Sequence, residues 1–267
     1  MARIAIFGAG AVGCYYGAML AKAGEEVVLI GRSALVEAVS ERDLLLEKGG
    51  VTEAVAVEAS ADPAAVAGAD FVLICVKSPD TQAAADAVKP YLSPSATVLS
   101  LQNGIGNAAI LSEVLGRPAL PVVVYVAVGM AGPGHVAHKG RGELVLGEGP
   151  GAEAAAALFN TADVPTDVSP EAEAALWTKL TLNCAVNAIS ALTRQPYGVM
   201  AARPEAEATF AQIVTECRAV AEASRGSVDC VVGAYREDAP DLVFPAEPWG
   251  IDKTMFFVRK GDDWRWN

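Results

Sequence analysis

Three polar side chains recur at every fourth position of a segment that is otherwise largely apolar. They are Lys179, Asn183 and Asn187, within Leu-Trp-Thr-Lys-Leu-Thr-Leu-Asn-Cys-Ala-Val-Asn at residues 176–187. Residues four apart lie on one face of an α-helix, so the three would form a polar stripe. A lysine ammonium can stabilise negative charge that grows on an oxygen atom and can then donate a proton. Asparagine amides can orient a hydroxyl or a carboxylate.

The polar stripe faces water or lines a cleft. Polar groups that leave water need hydrogen-bonding partners, so a buried stripe must meet something polar. Because Trp, Leu, Cys, Val and Ile surround it, we expect the stripe to line a cleft. Lys179 is then the candidate proton donor, and Asn183 and Asn187 are candidate substrate ligands.

The N-terminus carries glycines at a spacing that suits a bound pyrophosphate. An apolar run at residues 4–7 leads into Gly8-Ala9-Gly10-Ala11-Val12-Gly13. Gly8 would make a sharp turn, Gly10 would admit the phosphates, and Gly13 would let a helix pack on the strand. The N–H groups that open this helix, from about Ala11, would attract the negative charge.

The context of these glycines makes a chance match a poor explanation, although the chain has 25 glycines. A predicted helix follows to about residue 23, and a second apolar strand at residues 26–30 closes a βαβ unit. The second strand ends in Gly31-Arg32-Ser33, where NAD-binding sites usually place an acid. Arg32 can instead grip a 2′-phosphate, which favours NADPH; the alternative is an ordinary solvated arginine.

Two further polar turns follow predicted strands of the same sheet. Lys77 comes after the apolar run at residues 71–76, and Asn103 comes after the run at residues 97–101. Ligands gather at the carboxyl ends of parallel strands, so both residues are candidates for the cofactor site. Asn103 could also bind substrate through its amide. The alternatives are a solvated lysine and a common Asn-Gly turn.

Composition limits the classes of partner. The net charge of −12 argues against nucleic acid and anionic membranes, and no apolar stretch is long enough to cross a bilayer uninterrupted. The five scattered cysteines are typical of reduced, mostly buried thiols. His135 and His138 have no ligand cluster nearby, so we expect loop histidines and no metal. A cytoplasmic protein, possibly a homodimer, is expected.

The 267 residues are long enough for two domains. The pattern predicts an α/β fold, with a doubly wound Rossmann-type domain at residues 1–165 and a smaller all-helical domain at residues 166–267. Residues 37–50 are interpreted as helix or loop, and residues 163–170 as a linker. Helices are expected from about residue 171 to 224.

With these motifs in hand, the chain resembles the ketopantoate reductase family over about residues 3–225. The resemblance implies that Lys179 matches the family's catalytic acid. It also implies that Asn103, Asn183 and Asn187 match asparagines that help to hold cofactor or substrate. The resembling features are the Gly8 to Gly13 motif, Arg32, Val76-Lys77, Gln102-Asn103-Gly104, Gly132-Pro133-Gly134, and the Leu-Trp-x-Lys-Leu-x-x-Asn-x-x-x-Asn pattern that ends at Asn187.

The resemblance implies an NADPH-dependent reductase of a 2-oxo acid, most simply 2-dehydropantoate, in pantothenate biosynthesis. The chain departs from the family after about residue 226, because the Pro-Thr-Glu-Ile-Asp-like segment with its substrate-binding serine and glutamate is missing. Two alternatives therefore stay open. One is a related 2-oxo or hydroxy-acid dehydrogenase with another substrate, and the other is an NADPH-binding protein with little catalysis.

Overall fold

A computed structural model describes residues 1–201 and 203–225, and four short segments beyond them, 235–236, 239–242, 258–260 and 263–265. The chain divides into two compact units, Met1–Glu173 and Ala174–Asn267. The departure from the family pattern that we expect after residue 226 concerns residues that lie mostly outside the described ones. In the part that the structure describes, no helix has the length and apolar character of a membrane span.

The first unit is built on one large sheet with the strand order β4-β3-β9-β8-β7-β6-β1-β2-β5, and β10 pairs with β9. From β5 to β8 every pairing is parallel. The strands are β1 (Arg3–Phe7), β2 (Glu26–Ile30), β3 (Leu44–Lys48), β4 (Val51–Val55), β5 (Glu58–Ser60), β6 (Phe71–Ile74), β7 (Thr97–Ser100), β8 (Ala119–Gly132), β9 (His135–Gly147) and β10 (Thr166–Ser169).

Both faces of the parallel part are covered, as its continuous apolar strands require. On β1, Ile4 and Ile6 join one core cluster while Ala5 joins the other. The helices are α1 (Ala11–Lys22), α2 (Ser33–Arg42), α3 (Thr81–Val88), α4 (Asn107–Leu115), α5 (Ala152–Thr161), α6 (Ala172–Thr193), α7 (Tyr197–Ala201) and α8 (Pro204–Arg225). Helices α1 and α5 cover the first face, and α3 and α4 cover the second.

Two sequence-based interpretations are wrong. Leu44–Lys48, expected as helix or loop, is strand β3, which pairs antiparallel with β4 and parallel with β9. Its leucines alternate, with Leu44 and Leu46 buried, but the run is too short to stand out. Thr166–Ser169, expected as part of a linker, is strand β10 on β9. Helix α4 was not predicted at all; glycines with positive φ, Gly106 and Gly116, bound it.

The predicted fold class is confirmed, since a Rossmann-type sheet is followed by helices α6, α7 and α8. The helical region has its own small core, formed by Leu182, Ala185, Val186, Met200 and Phe210. The short segments beyond it form two antiparallel strand pairs, Tyr235–Arg236 with Ala239–Leu242 and Val258–Lys260 with Asp263–Arg265.

Candidate functional site

The glycine turn joins β1 to α1 at the carboxyl edge of the parallel sheet. At two of its glycines, a side chain would clash with neighbouring protein atoms. Gly8 has a φ of +98°, and a Cβ there would lie 2.6 Å from the backbone nitrogen of Val76. A Cβ on Gly13 would lie 2.9 Å from the carbonyl oxygen of Gly8. These contacts match the sharp turn and the close helix packing predicted for the two positions.

Gly10 differs from both, because a Cβ built on it would meet no described protein atom within 4 Å other than those of its own chain neighbours. Its φ of −89° is also open to any residue. Nothing in the described protein therefore demands glycine at this position. The spacing is typical of a turn that a pyrophosphate approaches closely, and such a ligand would account for the glycine.

The start of helix α1 is electrostatically suited to such a ligand. Gly10 is its N-cap residue, Cys14 N–H is the donor to the Gly10 carbonyl, and Ala11 and Val12 open the first turn. Within the described chain, no side chain caps this start and no acidic residue lies in its first turn. The positive end of the helix dipole is thus left to attract an anion. Ala9 completes the turn, with its N–H bonded to the carbonyl of Ile30.

Arg32 lies next to this turn, at the carboxyl end of the neighbouring strand. Phe7 of β1 pairs with Ile30 of β2, so the two strands end at the same level. Arg32 is exposed and is the N-cap residue of α2, and Ser33 follows it at the first helical position. The first turn of α2 likewise has no acidic residue in the structure described. A 2′-phosphate here would meet an arginine, a serine hydroxyl and a second helix start.

Lys77 and Asn103 are placed at the same edge by the next two strands, β6 and β7, and both are exposed. Beneath them lies a set of hydrogen-bonded polar side chains that the sequence did not reveal. We call it the strand-end network, and its members are Ser78, Thr81, Ser100, Gln102 and Asn107.

Gln102 and Thr81 form the buried centre of the strand-end network. Gln102 Nε2 donates to Thr81 Oγ1 at 2.7 Å and to the Val76 carbonyl at 3.2 Å, while Gln102 Oε1 accepts from Ser100 Oγ at 3.0 Å. Thr81 Oγ1 lies 2.8 Å from the Ser78 carbonyl oxygen and 3.1 Å from Asn107 Oδ1, so the Thr81 hydroxyl can donate its hydrogen bond to either oxygen. Both residues are nearly inaccessible to solvent.

Asn107 and Ser78 complete the strand-end network around Asn103. Asn107 Nδ2 donates to the Asn103 carbonyl at 3.0 Å and to Ser78 Oγ at 3.2 Å. Ser78 Oγ donates to the same Asn103 carbonyl at 2.9 Å. The sequence signal was present but weak: polar residues follow two apolar strands, and nothing in their spacing shows that they meet.

Lys179, Asn183 and Asn187 lie on one face of α6, in the second unit, as predicted. Lys179 and Asn183 are half-buried, and Asn187 is exposed and accepts a hydrogen bond from Tyr197 Oη through its Oδ1. Trp177 and Leu182 beside the stripe are buried. The predicted cleft for this stripe remains a prediction.

His135 and His138 lie on strand β9, not in a loop as expected. The His138 ring stacks on Tyr15 at 4.8 Å between centroids, and His135 Nε2 lies 3.4 Å from a Glu47 carboxylate oxygen. Among the described residues, no group of three His, Cys, Asp or Glu could hold a metal ion. Burial raises the pKa of the Cys14 thiol to about 12, so this cysteine packs rather than reacts.

Comparison with known proteins finds family matches in both parts of the chain. Residues 4–151 match the family model described as ketopantoate reductase PanE/ApbA, and residues 171–245 match its C-terminal model. A 2-dehydropantoate 2-reductase from Halobacterium salinarum is 37% identical over 248 residues, covering 89% of this chain and 81% of the relative.

Two solved structures illustrate the range of the likeness. A PanE/ApbA family ketopantoate reductase from Ralstonia eutropha is 53% identical, with a TM-score of 0.80, over 85% of this chain and 76% of that chain. A D-mandelate dehydrogenase, solved as a ternary structure with NADH and anilino(oxo)acetate, is 25% identical with a TM-score of 0.78, over the same shares of both chains.

Proposed function

Because the chain belongs to the ketopantoate reductase family of oxidoreductases, we propose that it uses NADPH to reduce 2-dehydropantoate to pantoate, a step of pantothenate biosynthesis. The observation that carries the proposal is the glycine turn. In this turn, contacts with the rest of the described protein do not explain why position 10 is a glycine. Gly10 also precedes a helix start that no described side chain caps. The residues present therefore fit a dinucleotide. The relatives' names supply the substrate.

The proposed division of labour follows from the chemistry of each side chain. Bound NADPH would supply the hydride that reduces the carbonyl carbon. The glycine turn from Gly8 to Gly13 holds the pyrophosphate, while Lys77 and Asn103 hold the cofactor near its nicotinamide end. Lys179 stabilises the negative charge on the carbonyl oxygen and donates the proton as the general acid. Asn183 and Asn187, with Asn103, orient the substrate without adding charge.

Turnover of 2-oxo acids tests this function directly. We expect the purified chain to oxidise NADPH with 2-dehydropantoate, and to do so at a higher kcat/KM than with pyruvate or oxaloacetate, as measured from the absorbance of the reduced nicotinamide. Indifference to the identity of the three acids would contradict the substrate assignment. NADPH binding without turnover on any of them would favour the non-catalytic alternative.

A second candidate function is a 2-hydroxy acid dehydrogenase with a different substrate. The likeness to D-mandelate dehydrogenase favours it, because that protein shares the fold over 85% of this chain. The same assay with phenylglyoxylate, the 2-oxo acid that corresponds to mandelate, separates the two. A kcat/KM for phenylglyoxylate above that for 2-dehydropantoate would replace the first candidate with the second.

Cofactor choice depends on Arg32. Its loss in Arg32→Ala removes charge-assisted hydrogen bonds to the 2′-phosphate, so NADPH should bind about tenfold to a hundredfold more weakly, while NADH, which has no such phosphate, should change little. Arg32→Asp should widen the difference, because a carboxylate repels the 2′-phosphate. Dissociation constants for both cofactors measure the effect.

A second arginine on the same helix serves as the control. Arg42 is exposed at the C-terminal end of α2, where its guanidinium donates to the Pro133 carbonyl at 2.7 Å. Arg42→Ala should leave the preference between the two cofactors unchanged. If Arg32→Ala weakens NADPH and NADH to the same extent, Arg32 does not recognise the 2′-phosphate.

A further inference from the structure

The buried polar side chains of the described chain are concentrated in one place. Six are found in the cores, and four of them, Thr81, Ser100, Gln102 and Asn107, belong to the strand-end network. A buried polar group is costly unless it is hydrogen-bonded, so a concentration of this kind needs a reason beyond packing. The other two, Thr166 and Thr181, donate to carbonyls within their own local segments, at 2.8 and 2.9 Å.

The bonds of the strand-end network converge on two candidate site residues. The carbonyl just before Lys77, that of Val76, accepts from Gln102, and the carbonyl just after it, that of Ser78, lies in hydrogen-bonding distance of Thr81. The backbone of Lys77 is therefore held from both sides.

Asn103 is held in a comparable way. Its own carbonyl accepts from both Ser78 Oγ and Asn107 Nδ2. Since Ser78 bonds to the loop of Asn103, the network also joins the end of β6 to the end of β7. Directional bonds in a buried setting fix backbone positions more strictly than apolar contacts do.

We propose that the strand-end network is a positioning device that sets Lys77 and Asn103 for the nicotinamide half of the cofactor. The inference rests on the proposed function, because it takes these two residues as cofactor ligands. In this proposal the network members are positioning residues and not ligands of the cofactor or the substrate. They act through the two loops, and they have no part in holding the adenosine half at the glycine turn and Arg32.

The test compares two ligands on matched variants by calorimetry. Thr81→Val keeps the side-chain shape and removes the hydroxyl, whereas Thr81→Ser keeps the hydroxyl. NADPH spans both halves of the site, and 2′,5′-ADP occupies only the adenosine half. We expect Thr81→Val to weaken NADPH about tenfold, as the loss of a buried hydrogen bond allows, and 2′,5′-ADP by less than about twofold. Thr81→Ser, which keeps the hydroxyl, should bind NADPH about as tightly as the wild-type protein.

Thr166→Val is the control for a purely structural effect. Thr166 is also buried and its hydroxyl also donates to a carbonyl, that of Val164, but it lies on β10. Its replacement should lower the melting temperature without changing the ratio of the two affinities. If Thr81→Val does not fold, Ser78→Ala tests the same network from an exposed position and should shift the ratio in the same direction.

Three results would overturn the inference. Equal weakening of both ligands by Thr81→Val would show a general structural defect, and unchanged NADPH affinity would show that the network positions nothing. If Thr166→Val changed the ratio of NADPH affinity to 2′,5′-ADP affinity by the same amount, the effect of Thr81→Val would not be specific to the strand-end network. Failure of the proposed function has different signatures. If the cofactor assignment fails, the wild-type protein binds neither NADPH nor 2′,5′-ADP. If only the substrate assignment fails, the wild-type protein binds both ligands and does not prefer 2-dehydropantoate in the turnover assay.

Discussion

Replacing Lys179 by alanine is expected to lower kcat by roughly a hundredfold to ten-thousandfold, the range over which a positioned acid or base accelerates a reaction. The charge of Lys179 is needed where the carbonyl oxygen becomes anionic, and this occurs in the transition state. The affinity for NADPH should change little, because the residue is not assigned to the cofactor. Steady-state rates and a separate NADPH titration measure the two quantities.

Two further variants sharpen this expectation. Lys179→Arg keeps the positive charge but is a poor proton donor, since the arginine guanidinium does not lose its proton in proteins, so its kcat should lie between those of wild type and Lys179→Ala. Lys89→Ala is the matched control and should leave kcat unchanged. Lys89 lies at the end of α3, and its ammonium donates to the Val114 carbonyl. Full activity in Lys179→Ala would return the residue to the class of solvated lysines.

The sequence predicted those parts of the site in which one residue type answers one local requirement. The positive φ of Gly8 and the contact of Gly13 with the Gly8 carbonyl oxygen lie within a few residues of each other, so the spacing of the glycines indicated both. The contact of Gly8 with Val76 is distant in sequence and was not indicated. The polar stripe of α6 was equally local, because helical periodicity alone places Lys179 and Asn183 on one face.

The strand-end network was beyond such reasoning because it depends on contacts distant in sequence. Ser78 and Asn103 are 25 residues apart, and no periodicity joins them. Strand β3 was missed for a related reason. Its pairing with β9, in which Leu46 lies opposite Val136, is a tertiary contact, and the charged Glu47 and Lys48 concealed a short strand.

Gly10→Val is expected to abolish measurable binding of both NADPH and NADH while the protein stays folded. The structure separates the two effects. Apart from its chain neighbours, a Cβ at Gly10 meets no described protein atom within 4 Å, and the φ of −89° suits an ordinary residue, so the backbone and the first side-chain carbon are compatible with the fold. A branched side chain would instead occupy the space that a pyrophosphate needs next to the start of α1. Calorimetry and thermal melting measure the two properties.

The control for Gly10→Val makes the same substitution elsewhere. Gly129 on β8 also has no described atom within 4 Å of a Cβ and no positive φ, so Gly129→Val should fold and bind both cofactors. Gly8→Val provides the opposite contrast, because its Cβ would clash with the backbone of Val76 and the fold itself should be lost. If Gly10→Val binds NADPH as tightly as wild type, the glycine turn does not hold the pyrophosphate, and the cofactor site must lie elsewhere in the chain.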